Sequence, residues 1–320
     1  MQMYFDTMQK HEDIHASVDY MTRSHLRNVM QLAIFHTSNR QLYAINISKI
    51  QSFVIKEEVE MLQSPTKNPY VIGMVNLRGE VISVVDFDLW IGESADMDEK
   101  RIIIICNYNQ KKIGILVRDI LKIEEKQSTE LTVPGNKDPK ISYVTMVDTE
   151  SGKRSCIIFD AEKLLFDTHL GTDIGKTTIY DIDTYEMHEK ISSNKKVLIA
   201  EDSQIVIEKL HQFFTKTDLD YEIYDNGEVL IERIRELGPE PIGLIVTDIE
   251  MPVRNGYQVI KFLKSEKEFA SIPVLSLTSM TNQGVLDKVR QLGAIDLINK
   301  SDLDKLFNYL KTILHKERNL

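Results

Sequence analysis

Hydrophobic and polar positions change rhythm along the chain. From Met30 to about Phe166 apolar residues come in short runs: MQLAIFHT, QLYAINI, SFVIK, VIGMVNLRGEVISVVDF, RIIIICNYN, KKIGILV, SYVTMVD and SCIIFD. Turn signals part them, among them Ser38 and Asn39, Arg78 to Glu80, Asn109 and Gln110, and Pro134 to Asn136. Many short strands at this spacing predict an all-β barrel or a pair of small barrels. Ile113, Ile115 and Val117 alternate with smaller or polar neighbours, the pattern of a sheet wet on one side.

From Lys196 strand and helix patterns alternate. The runs 196–200, 221–225, 243–247, 273–277 and 294–298 read as strands. Between them lie windows with helical spacing, such as Ile207, Leu210, Phe213 and Phe214, or Val285, Leu286, Val289 and Leu292. This alternation predicts a doubly wound parallel sheet with right-handed crossovers. Residues 1–29 are polar, with Ile14, Val18, Met21 and Leu26 at positions that fit a helix, and residues 171–195 read as a linker. The expected organisation is an extension over 1–29, an all-β module over 30–170, the linker, and an α/β domain over 196–320.

Composition narrows the function. With 320 residues, two domains are the default. A net charge of -10 argues against a nucleic-acid-binding face, which needs clustered Lys and Arg. No apolar run approaches the roughly 18 residues that suggest a membrane span, and the first residues lack the basic-then-apolar pattern of a signal peptide. A cytoplasmic protein is expected. Cys106 and Cys156 each fall in an apolar run, which predicts buried thiols rather than a disulfide.

Candidate chemistry gathers at strand ends of the C-terminal domain, where an open α/β sheet places its ligands. Glu201 and Asp202 follow the first strand, Asp248 the third, Thr278 ends the fourth and Lys300 follows the fifth. Three acids packed together repel one another, and a hard divalent cation bound by oxygens is the usual remedy. Magnesium suits the set because it takes one or two carboxylates and leaves room for phosphoryl oxygens. Lys300 and Thr278 add a cation and a hydroxyl donor for an anion beside it. Asp248, at the centre, can act as nucleophile toward a phosphoryl group and form an acyl phosphate.

Two other motifs carry less. His11, Glu12 and His15 spell H-E-x-x-H, but nothing nearby supplies the third ligand and cleft of a zinc protease. Gly171, Gly175, Lys176 and Thr177 imitate a phosphate-binding loop, yet only three residues separate the glycines where that motif needs four.

Two family resemblances sharpen the reading. Around the turn Asn76, Leu77, Arg78 and Gly79, the stretch from Met30 to Leu170 resembles CheW, the chemotaxis coupling protein family, with KKIGILVRDI and SCIIFDAEKLL in matching order. The resemblance implies a double five-stranded barrel that bridges chemoreceptor cytoplasmic tips to the histidine kinase CheA, with Asn76, Arg78 and Gly79 at the partner-binding surface. An arginine suits that task because its planar fork can hold a carboxylate or backbone carbonyls. From Lys196 to Leu314 the chain resembles the receiver domain of bacterial response regulators, through Glu201, Asp202, Asp248, Met251, Pro252, Gly256, Thr278 and Lys300.

The receiver resemblance implies a flavodoxin-like fold and Asp248 as phosphoacceptor. It also implies Mg2+ on Glu201, Asp202, Asp248 and the backbone carbonyl of Glu250, and a phosphoryl-binding switch at Thr278 and Lys300. Two departures stand out. Ser301 replaces the usual proline after a cis bond, and a cis bond to a non-proline residue costs about 3 kcal/mol. Ser301 and Asp304 read instead as a helix-capping signal, and Leu297 replaces the aromatic residue many receivers use as a switch. A CheW-like module followed by a receiver is the arrangement of the CheV family. This implies a non-enzymatic chemotaxis adaptor at membrane receptor arrays, regulated by phosphorylation at Asp248 or acting as a phosphate sink. A scaffold whose receiver no longer signals is the alternative.

Overall fold

The computed structural model describes residues 29–94, 100–108, 111–135, 138–170, 182, 185, 187, 189–279, 283–300 and 302–315. The histidine motif at His11 and His15, the glycine motif from Gly171 to Thr177, and Ser301 lie outside the described residues. Among the described residues no helix is long and apolar enough to cross a membrane.

The N-terminal half is built from two antiparallel-rich sheets. Strands β1 (Val29–His36), β2 (Leu42–Asn46), β9 (Ile120–Gln127), β10 (Ile141–Thr149) and β11 (Gly152–Phe159) form the first, in the order β10-β11-β2-β1-β9. A bridge between Thr132 and Val144 ties the chain beyond β9 back to β10 and closes the sheet on itself. The second sheet holds β3 (Ile50–Ile55), β4 (Met61–Leu62), β5 (Val71–Leu77), β6 (Glu80–Asp86), β7 (Ile102–Tyr108) and β8 (Lys111–Val117). It has six strands rather than the expected five. The extra one, β4, pairs Met61 and Leu62 with Val75 and Met74 and is too short for any periodicity to announce it.

Between the sheets lies an aromatic core. Phe87 meets Phe35 at 4.9 Å and Phe159 at 4.8 Å between ring centroids, in the edge-on geometry aromatic pairs favour. Two short helices seal it: α1 (Phe87–Ile91), capped by Asp86, and α2 (Ala161–Thr168), capped by Asp160. Trp90 on α1 is fully buried and donates its indole N–H to Asp167 on α2 at 2.9 Å. Cys106 and Cys156 are free and buried, and burial pushes both thiols up to about 12.

The C-terminal half is the parallel sheet read from the sequence. Strands β12 (Lys196–Ala200), β13 (Tyr221–Tyr224), β14 (Ile242–Asp248), β15 (Val274–Thr278) and β16 (Asp296–Asn299) run parallel in the order β13-β12-β14-β15-β16. Helices α3 (Gln204–Thr215), α4 (Gly227–Leu237), α5 (Gly256–Ser265), α6 (Gln283–Leu292) and α7 (Leu303–His315) cover its faces. Alternate residues feed opposite cores: Val197, Ile199 and Val246 face one, Leu198 and Ile245 the other. Asp302 and Asp304 are described at the start of α7, while Ser301 of the expected capping signal is not. Asp302 accepts the Lys305 backbone N–H at 3.0 Å, while Asp304 accepts from the Tyr185 hydroxyl.

Leu297 is packed in the core at 5% exposure, and the neighbouring Asp296 organises the polar side of that strand. Asp296 accepts from Arg290 on α6 at 2.8 Å, pairs with Lys305 at 2.7 Å and accepts from the Tyr309 hydroxyl at 2.8 Å. Burial works to raise its pKa, but these donors and the Leu297 N–H outweigh it and hold the carboxyl at about 2. Its folded pKa is depressed, so its stabilisation is present above the unfolded value near 4 and is lost as pH falls toward 2. Asp296→Asn is expected to cost about 1–2 kcal/mol at pH 7 after allowance for solvent screening, and much less at pH 2, read by urea denaturation at both pH values.

Candidate functional site

The carboxyl ends of the parallel strands carry the polar residues that the alternating pattern singled out. Glu201 and Asp202 leave β12, Asp248 closes β14, Thr278 closes β15, and Lys300 follows β16 with its N–H on the Thr278 carbonyl at 2.9 Å. Glu201, Asp248, Thr278 and Lys300 are each at most 5% exposed. The Lys300 ammonium lies 2.8 Å from a Glu201 oxygen and 3.2 Å from Asp248 Oδ2. Asp248 Oδ1 accepts the Ile249 N–H at 2.6 Å, which leaves Oδ2 as its pocket-facing oxygen.

Gly256 sets the depth of the pocket. A Cβ there would lie 2.2 Å from the Asp248 carbonyl oxygen, so only glycine lets α5 begin against the end of β14. Asn255 and Gln258 form a reciprocal cap at that helix start.

The electrostatics ask for a further cation. One carboxylate oxygen from each of Glu201, Asp202 and Asp248 lies within 4.8 Å of the other two. Burial, reinforced by the Asp248 charge, lifts Asp202 to about 8. Burial likewise lifts Glu201 well above the usual carboxylate range, with Asp248 and Asp202 adding to it against the opposing pull of Lys300. One lysine among three clustered carboxylates leaves an excess of negative charge. An all-oxygen donor set of this kind fits a hard divalent cation.

The structure adds partners that the sequence did not reveal, all from the all-β half. Ser203 donates its hydroxyl to Asp160 Oδ2 at 2.7 Å, and Ser279 donates to Glu162 Oε1. The Tyr143 hydroxyl donates to Asp202 at 3.4 Å, and Lys300 lies 3.9 Å from Glu162. Lys49 is half-buried between the halves. Burial works to lower its pKa, but Glu162, Glu250, Asp202 and Asp160 outweigh it and the net shift is upward. The acid pocket therefore faces the N-terminal half. Only the capping role of Asp160 has a local sequence signal, an acid just before a helical run.

Asn76, Arg78 and Gly79 form a separate feature at the β5–β6 hairpin. Arg78 and Gly79 both have positive φ, 54° and 88°, the backbone of a two-residue turn that matches the twist of its strands. Asn76 Oδ1 accepts the Gly79 N–H at 3.0 Å, and Glu80 pairs with Lys112 rather than with Arg78, which is exposed.

Sheet order and pocket together define a two-module protein, an all-β coupling module joined to a receiver. Residues 31–168 match the model of the CheW-like domain, and residues 197–311 match that of the response regulator receiver domain. The chain belongs to the CheV-type chemotaxis signalling proteins. It is 28% identical over 320 residues to chemotaxis protein CheV2 of Helicobacter pylori, across 93% of this chain and 98% of that protein. It is 30% identical over 144 residues to chemotaxis protein CheW of Bacillus subtilis, across 42% of this chain and 86% of that one. A solved structure of the scaffolding protein TtCheW from Thermoanaerobacter tengcongensis matches at 20% identity and a TM-score of 0.36, across 41% of this chain and 84% of that chain.

Proposed function

We propose that the chain couples chemoreceptor tips to the histidine kinase CheA through its CheW-like module and accepts a phosphoryl group from CheA on Asp248. The observation that carries this reading is the convergence of Glu201, Asp202, Asp248, Thr278 and Lys300 at one end of one sheet. Asp248 presents Oδ2 as the attacking oxygen, 3.2 Å from the Lys300 ammonium. Lys300 then steadies the phosphoryl oxygens, and the Thr278 hydroxyl donates to one of them. Mg2+, held by Glu201, Asp202, Asp248 and the Glu250 carbonyl, supplies the neutralising charge when bound. The exposed hairpin at Asn76, Arg78 and Gly79 supports a role in partner binding.

The expected result is phosphate transfer from labelled CheA to the wild type with Mg2+, and none to Asp248→Asn. Label on the asparagine variant would remove the assignment. A second reading, a scaffold indifferent to phosphate, has one observation in its favour: Leu297 fills the core where a swinging ring would sit. Equal receptor and kinase binding by wild type and Asp248→Asn, with and without a phosphoryl donor, would favour it.

A further inference from the structure

Glu162 belongs to the coupling module, in the first turn of α2, yet it is only 3% exposed because the receiver covers it. Burying a carboxylate is costly unless donors and cations receive it. The receiver supplies both. Ser279, next to Thr278, donates its hydroxyl to Glu162 Oε1, and the Lys300 ammonium is 3.9 Å from the same oxygen. Beside it, Asp160 anchors the docked helix through the Ser203 hydroxyl at 2.7 Å. The cation and hydroxyl at the mouth of the Asp248 pocket are thus engaged by an anion from the same chain.

We infer that Glu162 occupies the phosphoryl-oxygen subsite of the receiver, so that docking of α2 over the pocket and phosphorylation of Asp248 exclude one another. This rests on the reading of Asp248 as acceptor. A phosphoryl group brings about -1.5 to -2 charges and three acceptor oxygens to a space already holding the Glu162 carboxylate. Both anions draw on Lys300 and on adjacent hydroxyls at the end of β15, Ser279 for Glu162 and Thr278 for the phosphoryl group. Phosphorylation therefore expels Glu162, frees the first turn of α2, and separates the receiver face from the coupling module. Conversely, any partner that pulls α2 away opens Asp248 to the donor.

The test uses the full chain with Mg2+ and acetyl phosphate, a small donor that needs no partner protein. The Asp248 oxygen–phosphorus bond forms as the phosphorus–oxygen bond to acetate breaks, and acetate leaves with the electron pair. Glu162→Gln keeps the shape and helical preference of the residue and is expected to take up phosphoryl about tenfold faster than wild type, the effect of removing one charge-assisted contact. Ser203→Ala, which weakens docking from outside the carboxylate cluster, is expected to change uptake in the same direction. Small-angle scattering supplies the second readout: beryllofluoride with Mg2+ increases the radius of gyration of the wild type, and Glu162→Gln is expanded before it is added. Equal uptake by all three proteins, or an unchanged radius on adding beryllofluoride, would overturn the role of Glu162. No uptake by any of them would instead sink the reading of Asp248.

Discussion

Replacing Lys100 by methionine is expected to destabilise the coupling module by about 3–5 kcal/mol, because it strands two buried carboxylates. Lys100 is 1% exposed, and its ammonium pairs with Asp86 and, at 3.2 Å, with Asp88, which are 0% and 2% exposed. Methionine fills the space of the lysine stem but supplies no charge and no donor. Both aspartates have structural duties: Asp86 caps α1 through the Leu89 N–H at 3.1 Å, and Asp88 accepts from the backbone and hydroxyl of Ser38. Guanidinium denaturation of wild type and variant at pH 7 measures this. A loss below about 1 kcal/mol at pH 7 would mean that solvent reaches the triad, contrary to its burial.

The damage should also travel. Asp86 holds α1, α1 carries Trp90, and Trp90 is bonded to Asp167 on α2, the helix that presents Glu162 to the receiver. An aromatic core with ring centroids 4.8–5.7 Å apart transmits such a shift instead of absorbing it. Lys100→Met should therefore also loosen the docking of α2.

These pairings show why parts of the molecule were legible in sequence and others were not. The receiver pocket could be read because its residues stand at the ends of four strands, and the topology of a parallel sheet brings those ends together whatever else the chain does. The strand runs 196–200 and 221–225 were legible because β-branched and aromatic residues filled them. Strand β9 was hidden: ILKIEEKQ is charged, and it is a strand only because β1 offers it a partner from Val29 to Phe35. Lys126 within it is 5% exposed against Glu124, a burial that no local pattern signals. Lys100 and Glu162 were invisible for the same reason. A charged residue reads as solvated until a partner distant in sequence is known, and Glu162 meets Ser279 across 117 positions.

Gly256→Ala is expected to lower phosphoryl uptake at Asp248 by about a hundredfold, the scale of loss that a reacting group displaced by 1 Å incurs. The added methyl would meet the Asp248 carbonyl oxygen at 2.2 Å and the Asp248 carbonyl carbon and Ile249 Cα at 3.0 Å. All three are backbone atoms, so no side-chain rotation relieves the clash, and the start of α5 and the end of β14 must part. Overpacking of this kind costs typically 1–3 kcal/mol in stability. The functional loss should be larger, because the displaced peptide bears the acceptor, and with it the 3.2 Å contact to Lys300 and the 2.6 Å bond from the Ile249 N–H. Gly79→Ala is the control. That glycine has φ 88° but no atom within 4 Å of its absent Cβ, so alanine should strain the hairpin by about 1 kcal/mol and leave uptake unchanged. Initial rates with acetyl phosphate and Mg2+, with denaturation midpoints measured alongside, separate the two effects. Uptake by Gly256→Ala within about threefold of wild type would show that the loop can retreat from Asp248 without moving it, and that chemistry at the acceptor tolerates a looser seat than the 2.2 Å approach implies.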